Sequence, residues 1–156
     1  MESRKIKILV CGSRSFDNET FVENYLFKFF EYLKNKIENI DIIIISGMAK
    51  GPDLFAVNFA KKYNYEVEKY PADWEKHGKS AGYIRNKEMV EISDIVISFW
   101  DGISKGTLNS IELAKKKGIP TFVAGSNKVK KTYNLERLEE IIENARIIGD
   151  CDLKQE

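Results

Sequence analysis

Two glycine loops share one spelling, Gly47-Met48-Ala49-Lys50-Gly51 and Gly102-Ile103-Ser104-Lys105-Gly106, and each follows an apolar run and opens a helix-like segment. The chemistry this suits is anion binding. Glycine lets the backbone turn with positive φ and approach a ligand, the exposed N–H groups of a helix start favour negative charge, and the lysine adds a mobile cation. A third loop, Gly12-Ser13-Arg14, follows the first apolar run. Three such loops predict one shared pocket. Each loop taken alone reads equally well as a tight strand-to-helix turn carrying a solvated Lys or Arg.

Two familiar phosphate motifs are absent. The first loop reads Cys11-Gly12-Ser13-Arg14-Ser15-Phe16, and the second strand ends in Ser46 where a dinucleotide dehydrogenase carries a ribose-binding acid. Each lysine precedes its second glycine, so neither loop has the Lys-Ser/Thr ending of a P-loop. Cys11 and Cys151 match no metal spacing, and no carboxylate–histidine cluster is visible, so neither a metal nor a cofactor is expected. His77, the only histidine, has no nearby partner for a catalytic pair and reads as a solvated loop residue. No catalytic residue is assigned.

These loops need elements to position them. Ile6 to Val10, Ile42 to Ile45, Tyr65 to Tyr70, Ile95 to Phe99 and Thr121 to Ala124 read as strands, mostly too apolar to be solvated on one face. Between the first two, Phe21, Tyr25, Phe29, Leu33 and Ile37 recur every four residues, with Val22, Leu26 and Phe30 beside them, as a broad buried helical stripe. Pro52 and Asp53 suit a first helical turn, Thr107 a helix cap, and Gly118-Ile119-Pro120 a helix stop. The βαβαβαβαβ alternation predicts an α/β fold: a Rossmann-like doubly wound parallel sheet of about five strands in order 3-2-1-4-5, in a single domain. In that order the loops after strands 1, 2 and 4 meet at the carboxyl edge, where the winding reverses. Strands spaced roughly 4.8 Å apart put the two Gly-x-x-Lys-Gly loops about 10 Å apart with Arg14 between them, a distance suited to a nucleotide or sugar diphosphate.

Gly125 to Lys131 reads as a polar loop leading into an amphipathic helix with Leu138, Ile141, Ile142 and Ala145. The stretch from Pro71 to Asn86 reads as a long connection, and long connections are often functional. Within it Trp74 would stack on a base or simply cover the sheet edge, and Arg85 would meet a phosphate or lie on the surface. With 25 basic against 24 acidic residues in 156, the net charge of +1 gives no strong nucleic-acid signal and no pull to a membrane. No stretch is apolar enough to span a bilayer and no signal-peptide core follows Met1, so a cytoplasmic location is expected. The apolar excess of Phe21, Phe29 and Phe30, with the last amphipathic helix, predicts a homodimer or tetramer.

Four motifs in order resemble a known family. They are Gly12-Ser13-Arg14-x-Phe16, Ser46-Gly47-x-Ala49-Lys50-Gly51-x-Asp53, Pro71-Ala72-Asp73-Trp74 with Gly78-Lys79-x-Ala81-Gly82-x-x-Arg85-Asn86, and Gly102-x-x-x-Gly106-Thr107. They are similar to the YspA-like branch of the SLOG (Smf/DprA-LOG) superfamily, from about Lys5 to Ala124. Cys11, Met48 and Pro52 depart from the smaller residues expected there. The resemblance implies a Rossmann-like sheet, frequent oligomers, and a pocket for nucleotide-derived ligands such as ADP-ribose-like signals. It makes residues 1–126 the ligand-binding domain and residues 127–156 a helical extension packed on it. By the same resemblance Gly12, Ser13 and Arg14 hold one phosphate, and Gly47, Lys50 and Gly51 approach a second phosphate or the ribose. Gly102, Gly106 and Thr107 offer donors at a helix start. Phe16, Ser46, Trp74, Arg85 and Asn86 complete the implied set. Asp53 would accept a ribose hydroxyl and Asp101 a similar donor, though the helix dipole explains an acid at either place.

Two functions fit this reading. One is binding, by sensing or sequestering, of a nucleotide-derived ligand, ADP-ribose-like or cyclic. The other is a nucleotide-processing hydrolase akin to the LOG phosphoribohydrolases. That group carries Gly-Gly-x-Gly-Thr-x-x-Glu; here the position three after Thr107 is Ser110, and Glu112 lies about 200° around a helix from it.

Overall fold

The computed structural model describes residues 3–125 and 130–155. Strands β1 (Arg4–Gly12), β2 (Ile40–Ser46), β3 (Glu66–Lys69), β4 (Ile95–Trp100), β5 (Thr121–Gly125) and β6 (Lys130–Tyr133) form one sheet in the order β3-β2-β1-β4-β5-β6. Pairing from β3 through β5 is parallel. The expected order of the first five strands is therefore the observed one, with the winding reversing between β1 and β4. The sixth strand runs antiparallel to β5, setting Thr121 against Tyr133 and Ala124 against Lys130. It replaces the end of the expected polar loop, the rest of which, Ser126 to Val129, lies outside the described residues. Lys130, Lys131 and Thr132 are exposed, as suits an edge strand kept from pairing further, and so carry no apolar alternation to announce it.

Helices α1 (Glu19–Lys36), α2 (Pro52–Tyr63), α3 (Trp74–His77), α4 (Ala81–Ile92), α5 (Lys105–Lys117) and α6 (Leu135–Gln155) cover both faces. Alternation along β1 divides the core. Ile6, Ile8 and Val10 pack with Val22, Leu26, Phe30 and Leu33 of α1, Phe59 of α2 and Leu138, Ile141 and Ile142 of α6. Leu9 and Cys11 face the opposite layer with Met89 and Val90 of α4 and Ala114 of α5. Three phenylalanines of α1 pack inside the chain: Phe21 lies edge-on to Phe99, Phe29 edge-on to Phe122 at 4.9 Å, and Phe30 edge-on to Phe59 and Tyr65, whereas Phe27 is exposed beside Tyr63. The apolar surface of Phe21, Phe29 and Phe30 is thereby used internally. Among the described residues no helix is long and apolar enough to cross a membrane.

The long connection after β3 is mostly helical. Asp73 accepts a hydrogen bond from Lys76 N at 3.1 Å and so caps α3, and a 3-10 turn at Gly78–Ser80 leads directly into α4. Pro52 opens α2 and Gly118, at φ +85°, closes α5, both as their types dictate. Thr107 departs from expectation. Ser104 occupies the cap position of α5, and Thr107 sits buried in its first turn.

Candidate functional site

A cavity of about 480 Å³ opens at the carboxyl edge of the sheet, beside the reversal between β1 and β4. Its wall takes Arg14 and Ser15 from the loop after β1, Ala49 from the β2–α2 turn, Asp53 from the first turn of α2, and Asp101 and Ser104 from the loop after β4. The three glycine loops do converge on one cavity. From the sequence-derived set, Gly12, Arg14, Asp53, Trp74, Arg85, Asn86, Asp101, Gly106 and Thr107 line it.

The others from that set lie outside the wall, each for a local reason. Ser13 is buried, its hydroxyl accepting from Asp101 N at 3.0 Å and lying 3.4 Å from Thr107 Oγ1, so it stitches two loops together. Phe16 is in the core against Phe99. Ser46 donates to the Asp53 carbonyl at 2.9 Å and accepts from Met48 N at 3.2 Å, bracing the turn before α2. Gly51, at φ +97°, has no room for a side chain, since a Cβ would lie 2.9 Å from the Ser13 carbonyl. Gly47 keeps a gap beside Arg85, while Lys50 is exposed and does not line the cavity. Gly102 makes a positive-φ turn. The Ile103 and Ser104 N–H groups of its loop are not free for a ligand, because Asp101 Oδ1 already accepts from them at 2.8 Å and 2.7 Å.

The cations are placed in two ways. Arg85 is anchored: Nη1 donates to the Gly47 carbonyl at 2.7 Å and Nε to Asn86 Oδ1 at 3.1 Å. Asn86 in turn donates to the Gly106 carbonyl and Asn109 Oδ1, both at 3.3 Å, tying α4 to α5. Arg14 and Lys79, by contrast, line the cavity with no ion pair among the described residues. Gly106 and Thr107 bring the first turn of α5 to the same wall, where free N–H groups and the dipole favour an anion.

The acidic side is as defined. The Ser104 N–H, with those of Ile103 and the Ser15 hydroxyl, holds the Asp101 carboxyl down to about 2 against the opposing effect of partial burial. Burial pushes Asp53 the other way, up to about 6, although the Ala49 N–H and the charge of Arg85 oppose it. Cys11 is pushed up to about 12, by burial first and then by Asp53, so its thiol stays protonated and is no nucleophile.

Two aromatics frame the mouth, Trp74 at 52% exposure and Tyr83 at 50%. Trp74 lies over the bare Gly82, where a Cβ would be 3.6 Å from the indole. Tyr83, Lys79 and Ser110 were missed as site residues. Once residues 81–92 are known to be helical, the spacing of Gly82, Tyr83, Asn86 and Met89 marks a single face.

A model of the YspA, cpYpsA-related SLOG family matches residues 6–77. The Gene 61 protein of Mycobacterium phage D29 is 32% identical over 127 residues, covering 76% of this chain and 96% of its own. The chain belongs to this SLOG family. Among solved structures, DNA processing protein A from Streptococcus pneumoniae is similar with a TM-score of 0.56 at 19% identity, over 76% of this chain and 50% of that one. The chain thus spans about half the length of that protein. DNA processing protein A from Helicobacter pylori, described in its single-stranded DNA binding mode, gives 0.50 at 21% identity, over 96% and 81%. At these identities the likeness shows the shared SLOG fold. It also corrects the dismissal of nucleic acid drawn from net charge, because this fold occurs in a single-stranded DNA binder. A net charge of +1 averages over the whole surface and says nothing of a cavity where Arg14, Lys79 and Arg85 gather.

Proposed function

We propose that the cavity recognises a nucleotide-derived ligand, with phosphate beside Arg14, Lys79 and the start of α5, and the base against Trp74. The observation that carries this reading is the convergence on one cavity of unpaired cations, a helix N-terminus and a half-exposed indole. Phosphate and base are the two chemistries those groups complement. ADP-ribose-like and cyclic nucleotides are the free ligands proposed; a strand of DNA presents the same phosphate and base, and single-stranded DNA binding by the H. pylori protein adds it as a partner to test. Calorimetry across nucleoside mono- and diphosphates, ADP-ribose, cyclic nucleotides and an oligodeoxynucleotide tests the reading. Arg14→Ala is expected to weaken the ligand that binds by about 1.5 kcal/mol, near the lower end for a charge-assisted bond because Arg14 is exposed. Unchanged affinity would remove Arg14 from the site.

Hydrolysis is the second reading, supported by the Asp53 carboxyl in the wall. Against a LOG-type reaction, Ser110 lines the cavity where that group has its glutamate, and the outward-facing Glu112 pairs with Lys115 at 3.7 Å. A serine hydroxyl supplies no carboxylate. Chromatography after prolonged incubation with adenosine, guanosine or cytidine monophosphate is expected to find no free base; turnover abolished by Arg85→Ala would promote the hydrolase reading.

A further inference from the structure

Ser110 carries a hydroxyl that the fold does not use. It is 2% exposed, lines the cavity, and makes no side-chain hydrogen bond among the described residues. Other buried hydroxyls are paired: Ser46 donates to the Asp53 carbonyl, Ser93 to the Met89 carbonyl and Thr121 to the Ile119 carbonyl. Ser98, a second exception, is sealed beside Cys11 on the neighbouring strand and does not line the cavity. A helical serine commonly turns back to the carbonyl four residues earlier, as Ser93 does at the end of α4. For Ser110 that carbonyl belongs to Gly106, which accepts from Asn86 Nδ2 at 3.3 Å instead. A buried hydroxyl without a partner lowers stability, so a ligand accounts for this one better than the fold does.

Its depth says which part of a ligand reaches it. Helices α4 and α5 both begin at the carboxyl edge and run down the same face of the parallel sheet. With a rise of about 1.5 Å per residue, Ser110 lies about 6 Å below Gly106 on one wall, and Met89 about 10 Å below Gly82 on the other. The floor between them, Cys11, Met89 and Ser110, carries no charge, because burial keeps the Cys11 thiol protonated. Arg14 and Lys79 are exposed, and Arg85 is turned to the Gly47 carbonyl. A phosphate therefore stays above, at the start of α5.

The group that descends must be neutral and polarisable, with hydrogen-bonding atoms at its rim. A nucleobase meets each condition: the sulfurs of Met89 and Cys11 suit an aromatic ring, and a hydroxyl that both donates and accepts can meet a ring nitrogen, an amino group or a carbonyl. A sugar would leave hydroxyls unpaired against the two sulfurs. We propose that Ser110 reads the edge of the base, which enters between α4 and α5 with Trp74 at the mouth, and so sets which base is accepted. The inference rests on the nucleotide reading above and narrows it to ligands chosen by base.

The test is calorimetry with ADP, GDP, CDP and UDP, and with trinucleotides of each single deoxynucleotide, on wild type, Ser110→Ala and Trp74→Ala. Within each set only the base changes. In a set that binds, wild type is expected to favour one base over the weakest by about tenfold or more, falling to about threefold or less in Ser110→Ala. Trp74→Ala removes a face that every base can stack on, so it should weaken all members alike and keep their order. Ser110→Ala is expected to melt no lower than wild type, since it loses no bond within the protein and gains helix propensity. A clearly lower melting temperature would give the hydroxyl a structural role and overturn the inference. Equal affinity across the bases, or a preference unchanged in Ser110→Ala, would also overturn it and leave the nucleotide reading standing. Binding of none of the eight would overturn both.

Discussion

Asp53→Asn is expected to stabilise the protein by up to roughly 3 kcal/mol above pH 6, an unusual direction for a change at a buried hydrogen-bonded residue. The carboxyl is held at about 6 in the fold against an ordinary 3.8, with burial as the main cause. Folding therefore favours the protonated form, and the ionised form costs roughly 3 kcal/mol of stability. Below pH 3.8 the group is protonated in both states and the cost is absent. It grows as pH rises from 3.8 to 6 and is complete above 6. Asparagine carries no charge and keeps one acceptor oxygen for the N–H groups of Ala49, Gly12 and residue 53, so a gain of up to that size should appear across that window and vanish near pH 3.5. Urea denaturation of both proteins at pH 3.5, 5 and 7.5 measures it. A variant less stable than wild type at pH 7.5 would mean that the carboxylate is a net structural support.

Gly12→Ala should cost about 3 kcal/mol for a different reason. A Cβ there would sit 2.5 Å from the Phe99 carbonyl oxygen and 2.5 Å from Pro52 Cγ. Neither can swing aside, since the Phe99 carbonyl accepts from Ser13 N at 2.9 Å and the proline ring forms the first turn of α2. Overpacking against backbone belongs at the upper end of the usual range of about 1–3 kcal/mol. Gly106→Ala is the control: nothing lies within 4 Å of its Cβ, and the residue is in a helix, so stability should hold or rise slightly. Equal denaturation midpoints for Gly12→Ala and wild type would contradict the close approach of β1 and α2.

Much of the fold could be read before it was seen, because buried parallel strands leave unmistakable apolar runs such as Ile42 to Ile45, and glycines mark their carboxyl ends. Residues held by neighbours rather than by pattern were harder. The edge strand β6 is lysine-rich and polar, and the four-residue α3 shows itself only through the Asp73 cap. At the site, glycine was the ambiguous signal. Gly12 and Gly51 are required for close packing and Gly47 for the space beside Arg85, three purposes with the same spelling. Ser13 and Ser46 look like ligand hydroxyls in sequence, yet their bonds go to the protein itself. Tyr83 is not legible as a site residue, and Lys79 only as a motif residue, because their segment reads as a loop, where helical spacing has no meaning.

The central claim is that one cavity at the reversal between β1 and β4 takes the phosphate and base of a nucleotide. Backbone amide chemical shifts followed by NMR during titration with the nucleotide panel test it most directly. Saturable shifts clustered at Arg14, Ala49, Asn86, Gly106 and Thr107, with the indole N–H of Trp74 moving in step, are the predicted result. An unmoved spectrum across the panel and the oligodeoxynucleotide, or shifts confined to residues remote from that cavity, would contradict it.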